Sequence, residues 1–471
     1  MVKSLQNLYN NYVNGAIMLK VLHILANSSP DVNGYAVRTQ MILQNQPQDV
    51  VGLTSPWYPQ RETMIDNFTN NGVEYLRTVH PLHSNNKLSF GLNLVKRQAI
   101  KDSGKQKHEN DIISNSKPSF VGKLFRAPGY FTKLAWKVLE EKILMRYFMQ
   151  RIIEVAKREK AELIHAHTPY RVGLPALKAA RKLRLPFVYE MRGMWEETAV
   201  ANGRWRANGP AYRRFQRFEN KVLRAADSVV CISETLRQTA ISRGVDAAKI
   251  TVVTNAAQII DDSDLQKHET FDRVVASLGL KPSTRVIGYI GSLREMEGVD
   301  LTAEAVAELV KQGFDVRFFV LSGTAGQEEL RNLCDRLELG DSAIITGPVP
   351  HQFVPQFYEL IDIFVVSRPD AAVTRLVTPL KPFEAMAMKR AVVTSNLDAL
   401  QEIVTDNETG LLFQAGNLSS LVETIKRLVT DEKLISSLGN NAYDWIIRNR
   451  TWELVVKNYA VAYQIAVEKR G

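Results

Sequence analysis

Short runs of branched and aromatic apolar residues alternate with stretches whose apolar positions recur every three to four residues, and this alternation fills both halves of the chain. The runs predict strands and the periodic stretches predict helices covering them, which together argue for parallel sheets. In the first half the predicted strands are 20–26, 49–53, 72–76, 162–165, 187–191, 227–232 and 249–254; in the second they are 286–291, 316–321, 343–346, 361–366, 391–394 and 410–413. The fold class is therefore α/β, with two doubly wound Rossmann-like domains facing a cleft. Ligands of such sheets bind beyond the carboxyl ends of the strands. The expected division is a polar leader 1–17, an N-terminal domain 18–262, a C-terminal domain 263–449 and a helix in 450–471 that packs back on the first domain. A polar, acidic linker is expected over 257–277.

Residues 84–135 break the alternation, with Ser, Asn, Lys and Gly dominating 82–118. Phe120, Phe125, Tyr130, Phe131 and Trp136 then interleave with Lys123, Arg126, Lys133 and Lys137. Such a stretch suits a lipid interface or a sugar face; a helix packing its aromatics inward is the other reading.

At 471 residues the chain exceeds one ordinary core, and 45% apolar with 23% charged residues is normal for a globular protein. No apolar run approaches the ~20 residues of a spanning helix. Cys231 and Cys334 stand alone, without metal or redox spacing, which fits a reducing cytoplasm. Charge is uneven: 38 Lys and Arg face 23 Asp and Glu over residues 1–265, against 22 and 27 over 266–471. A basic first half points to an anionic partner such as a membrane surface or an acidic glycan. No nucleic-acid motif accompanies it.

The most informative motif is Thr378-Pro379-Leu380-Lys381-Pro382-Phe383-Glu384-Ala385-Met386-Ala387, just before the apolar run 391–394. Its prolines fit a loop entering a first helical turn. Unpaired N–H groups at a helix start favour phosphate, Lys381 adds a cation, and Glu384 is placed to accept ribose hydroxyls. Elsewhere, Gly34-Tyr35 and Arg38 follow the first strand, Ile164-His165-Ala166-His167 ends another, and Gly288-Tyr289-Ile290-Gly291-Ser292 opens the second half.

In this order the segments resemble the family-4 type retaining glycosyltransferases of GT-B fold, over most of residues 20–465. Glu190-Met191-Arg192-Gly193-Met194-Trp195-Glu196 and Glu297-Gly298-Val299-Asp300 resemble a bacterial subgroup linked to exopolysaccharide assembly. The resemblance implies His167, Lys381 and Arg294 as catalytic groups. It implies Glu384, Gly291, Ser292, Arg368, Thr378, Pro379 and Leu380 at the donor. Gly34, Tyr35, Arg38, Glu190, Arg192, Trp195 and Glu196 would border the acceptor.

Three positions depart from the family pattern. Leu376 stands where a first carboxylate is common, eight residues before Glu384, while Ser292 and Glu297 stand where an arginine and a lysine are common. The implied activity moves a sugar from a nucleotide diphosphate sugar to a glycan or lipid-linked acceptor with retention, at the inner face of the membrane. No metal and no cofactor beyond the donor are expected. A noncatalytic donor-binding subunit is the alternative; an epimerase lacks an acid–base constellation, and a dehydrogenase lacks Gly-x-Gly-x-x-Gly after the first strand.

Overall fold

The computed structural model describes residues 19–31, 33–57, 67–81 and 127–470. The leader 1–17 and the aromatic and basic residues from Phe120 to Arg126 lie outside them. The side chains of Tyr130, Phe131, Lys133 and Trp136 are likewise not described. Two sheets form, each continuous in one half of the chain.

The first has eight strands: β1 (Lys20–Leu25), β2 (Asp49–Thr54), β3 (Asn67–Asn70), β4 (Val73–Arg77), β5 (Leu163–His167), β6 (Phe187–Met191), β7 (Ser228–Cys231) and β8 (Ile250–Val252). Their spatial order is β3-β4-β2-β1-β5-β6-β7-β8, and only β3 is antiparallel. The second has six parallel strands: β9 (Arg285–Ile290), β10 (Val316–Leu321), β11 (Ala343–Thr346), β12 (Ile363–Val366), β13 (Ala391–Ser395) and β14 (Leu411–Phe413), ordered β11-β10-β9-β12-β13-β14. Every residue of β5, β6 and β12 is buried, as expected where helices cover both faces.

Helices that position the site are α1 (Gly34–Asn45), α2 (Ala127–Arg158), α3 (Tyr170–Leu183), α4 (Pro210–Ala225), α5 (Glu234–Ser242), α6 (Val299–Lys311), α7 (Lys381–Ala387), α8 (Asp398–Gln401) and α9 (Tyr459–Glu468). The linker is shorter than 257–277, because a helix over Glu269–Leu278 buries Val274 and Leu278 in the second core. The chain crosses between halves twice at one place, where the Ala257 N–H donates to the Arg450 carbonyl at 2.9 Å.

After the second crossing α9 returns to the first sheet and packs against β6, β7 and β8. Tyr459, Ala462, Tyr463 and Ala466 are fully buried there with Val21, Leu163, Val188 and Val230. Among the described residues no helix is long and apolar enough to cross a membrane. Truncating Tyr459 to Ala should lower stability by about 3–5 kcal/mol, the usual cost of emptying a large buried aromatic site, measured by urea unfolding of the full chain.

Candidate active site

The carboxyl ends of the two sheets meet across a strap, residues 376–380, that links β12 to α7. Three successive carbonyls of this strap are held from different directions. Ser233 and Thr235, at the start of α5, donate to the Leu376 carbonyl at 3.3 and 3.1 Å. Arg368, just after β12, donates to Val377 at 3.0 Å. Asn255, after β8, donates to the Thr378 carbonyl and hydroxyl at 2.9 and 3.2 Å. Leu376 and Val377 turn their side chains into the first core, so the position that lacks the family's carboxylate is an apolar anchor between domains. Gly34 abuts this strap: a Cβ on it would lie 3.8 Å from Leu380 Cδ1. Glu402, just after α8, caps the start of α5 by accepting the N–H groups of Glu234 and Thr235, each at 2.8 Å.

On the C-terminal wall the predicted donor residues come together. Gly291 has φ +149, a conformation favouring glycine, and a Cβ there would fall 2.1 Å from Lys381 Cε. The lysine stem thus lies directly over the loop after β9. Its Nζ is 3.0 Å from Glu297 and 5.1 Å above the Tyr289 ring. Arg368 reaches both oxygens of the same carboxylate at 3.0 and 3.2 Å. Burial raises the Glu297 pKa, but Arg368 and then Lys381 outweigh it and bring the carboxyl down to about 2. Ser292 and Arg294 are exposed on the loop, with Arg294 donating to Ser292 Oγ at 3.3 Å. Pro379 is buried. Glu384 accepts from the Tyr358 hydroxyl at 2.9 Å and faces a pocket of about 80 Å³ whose other walls include Val37, Met41, Leu380 and Trp452.

The N-terminal wall differs from expectation. Glu190 is wholly buried, with Arg38 and Arg192 at 3.2 and 2.8 Å on one oxygen and the Tyr459 hydroxyl at 2.6 Å on the other. Arg38 also donates to the carbonyls of Val253 and Thr254 and to Asn255 Oδ1, at 2.8–2.9 Å. Glu196, also buried, pairs with Arg243 at 2.8 Å. These charges form a buried lattice of mutual pairs: strand-end charges shielded from solvent must satisfy one another. Tyr35 joins it, its ring 4.6 Å below the Arg192 guanidinium and its hydroxyl pushed up to about 12 by burial. Trp195, 39% exposed, remains open to a ligand.

His167 is the chief correction. Expected on the cleft wall, it is fully buried, with Nε2 2.9 Å from His23 Nδ1 and Nδ1 3.5 Å from Glu190. The register explains this: His23 pairs with His165 across β1 and β5, and His167 pairs with Glu190 across β5 and β6, so all four share one patch of the sheet. Burial holds all three imidazoles below their usual range, with Arg192 adding to it at His165 and His167. Among the described residues they are the one group whose ligand atoms, within 4.8 Å of one another, could hold a metal. The adjacent Arg38 and Arg192 oppose a dication there. His165 and His167 also stack at 4.4 Å, as neutral rings packed together do.

The family description "Glycosyl transferases group 1" matches residues 271–445, and "Glycosyltransferase Family 4" matches 100–258. The chain belongs to the family-4, GT-B glycosyltransferases. Alpha-monoglucosyldiacylglycerol synthase of Streptococcus pneumoniae is 20% identical over 56% of this chain and 58% of its own length. The capsular polysaccharide biosynthesis glycosyltransferase CapM of Staphylococcus aureus is 24% identical over 62% and 73%. Among solved structures, Anabaena HepE in complex with UDP aligns with a TM-score of 0.59 at 16% identity, covering 96% of this chain and all of that one. The chain spans only 39% of another relative, an alpha-D-kanosaminyltransferase of Streptomyces kanamyceticus.

Outside the cleft, α4 carries exposed Arg213, Arg217, Lys221 and Arg224 around an open hollow whose lining holds no acidic residue.

The buried ionisable patch makes stability fall in acid. Each imidazole has a folded pKa below its unfolded value near 6.5, so below that pH the unfolded chain takes up protons the folded one refuses. Glu190, held low by Arg192 and Arg38 against the opposing effect of burial, adds stability present above its unfolded pKa and lost below it. Urea unfolding between pH 7.5 and 5 should show stability dropping from about pH 6.5 with a slope short of three protons, because Glu219, pushed up to about 7 by burial, takes up a proton in the folded chain over the same range, and His23→Gln should make the drop shallower.

Proposed function

We propose that the chain transfers a sugar from a nucleotide diphosphate sugar to a glycan or lipid-linked acceptor, with retention and without a metal, in bacterial polysaccharide or envelope glycan synthesis. The observation that carries this is the convergence of Lys381 and Arg368 on the loop after β9, beside exposed Arg294 and with Glu384 one helical turn on from Lys381. Cations fixed there stabilise charge developing on a departing diphosphate. The bond from the anomeric carbon to the phosphate oxygen breaks as the acceptor oxygen bonds to the same carbon on the same face. The acceptor proton passes to the departing phosphate oxygen. The strap, already held against Gly34, keeps the two walls together so that the two reactants meet. HepE was solved with UDP and with UDP-glucose, which supports UDP as the first donor base to try.

His167 acts in this reading as a positioning residue beneath the site, through Glu190 and Arg192, rather than as a group touching the sugar. The second reading, a noncatalytic donor-binding subunit, draws on Glu297, which neutralises the two cations. Release of free glucose from UDP-glucose without acceptor, above the level of a Lys381→Ala variant, favours the enzyme; donor binding with no turnover favours the subunit.

Glu384→Ala should weaken UDP-glucose binding by on the order of 2–4 kcal/mol, the loss of two hydrogen bonds to a charged group. Calorimetry on the folded variant checks it, and unchanged affinity would remove Glu384 from the donor site.

A lipid-linked acceptor places the chain at a membrane, and α4 offers the surface for it. Each basic residue near an anionic surface contributes roughly 1 kcal/mol, screened over about 8 Å at physiological salt. Replacing Arg213, Arg217, Lys221 and Arg224 together by Gln should abolish co-sedimentation with phosphatidylglycerol vesicles, and salt should weaken it in the parent chain.

A further inference from the structure

The cations assigned to the diphosphate are already occupied. Glu297 is 1% exposed and takes three contacts from Arg368 at 3.0–3.2 Å and one from Lys381 at 3.0 Å. A carboxylate this buried persists only where cations compensate it. The reverse also holds: two adjacent cations on a low-dielectric wall repel one another unless an anion sits between them.

The two cations are not held alike. Arg368 grips the carboxylate with two nitrogens and also donates to the Val377 carbonyl, so the strap fixes it independently. Lys381 has Glu297 as its one carboxylate partner among the described residues, on a flexible stem lying over Gly291. The carboxylate itself cannot easily withdraw. It immediately precedes Gly298, whose φ of +67 and close approach to the Ser367 carbonyl (a Cβ would lie 2.0 Å from that oxygen) pin the backbone at the start of α6.

Resting on the donor reading above, we propose that Glu297 is a built-in stand-in for the donor diphosphate. In the empty site it occupies Lys381 and Arg368; when the donor arrives, Lys381 swings from Glu297 to the phosphate oxygens while Arg368 remains as the fixed cation between both anions. Glu297 thereby keeps two neighbouring cations tolerable in an empty cleft, and it lowers diphosphate affinity by competing for Lys381 and by repelling the phosphates. Retained affinity for the leaving nucleotide is reduced in the same measure, so the residue favours product release.

The test is calorimetry of UDP, inorganic pyrophosphate and uridine against the parent chain, Glu297→Gln and Glu297→Asp. Glu297→Gln should bind UDP and pyrophosphate at least tenfold more tightly, about 1.4 kcal/mol, with uridine affinity unchanged. Glu297→Asp keeps the charge but draws it back by one methylene, and should tighten binding severalfold; it decides the matter if the Gln variant does not fold. Unchanged or weaker diphosphate binding in a folded variant overturns the proposal, because a carboxylate that competes for Lys381 and repels the phosphates must tighten binding when it is neutralised. Lys381→Ala separates this from the donor reading: if it binds UDP as tightly as the parent, or if the parent binds neither UDP nor pyrophosphate, the donor reading falls and this inference with it.

Discussion

The ion pair between Arg38 and Glu190 is the constraint around which the first domain and the cleft are arranged. A guanidinium with 3% of its surface exposed needs nearly all its donors satisfied, and Arg38 does so by reaching from α1 to β6 and to the chain leaving β8 at once. Removing either partner would leave an uncompensated buried charge, at a cost of about 3–5 kcal/mol. Replacing both with apolar groups need not cost anything, so the pair speaks for geometric specificity more than for raw stability. Its reach explains that: Asn255, whose side-chain oxygen accepts from Arg38, spends its amide on Thr378. One chain of hydrogen bonds thus runs from the interior of the first sheet to the strap of the second.

The strap converts that order into placement of the start of α7. With the carbonyls of residues 376, 377 and 378 each held by a different element, that start has little freedom, and Lys381 and Glu384, three residues apart on α7, are fixed with it. The Glu402 carboxylate at the start of α5 adds a second bridge between the halves. It places negative charge at a helix N-terminus, where the backbone dipole favours it. Beside the apolar anchor of Leu376 and Val377, both bridges are hydrogen bonds from backbone or short side chains, so they are specific in direction.

Much of this was legible in the sequence. Continuous apolar runs located thirteen strands of the two sheets to within a few residues, because parallel strands buried on both faces leave an unambiguous signature. The edge strand β3 was missed: Asn67-Phe68-Thr69-Asn70 alternates exposed and half-buried residues and carries a single large apolar side chain. The cluster of Lys381, Arg368 and Gly291 was anticipated from motif order. The fate of His167 and Glu190 was not, because burial depends on the register of β1, β5 and β6 and on α9, hundreds of residues away. Nor could spacing reveal that Glu297 would join Arg368 and Lys381, since residues separated by 71 positions meet only when β9 and β12 pair.

The return of α9 to the first sheet has a consequence for how the protein is made. A ribosome releases the first half long before residues 459–466 exist, yet Glu190, His165 and Gln46 each have a hydrogen-bond partner in Tyr459 or Tyr463 of that helix. Until then the nascent first domain keeps an open apolar seam beside a buried-charge cluster short of two hydroxyls. The second sheet, whose strands and covering helices are complete by residue 449, has no such debt to a later segment. Synthesis order and completion order are therefore reversed: the half made first is the half finished last, and its final hydrogen bonds close only once nearly the whole chain has been translated.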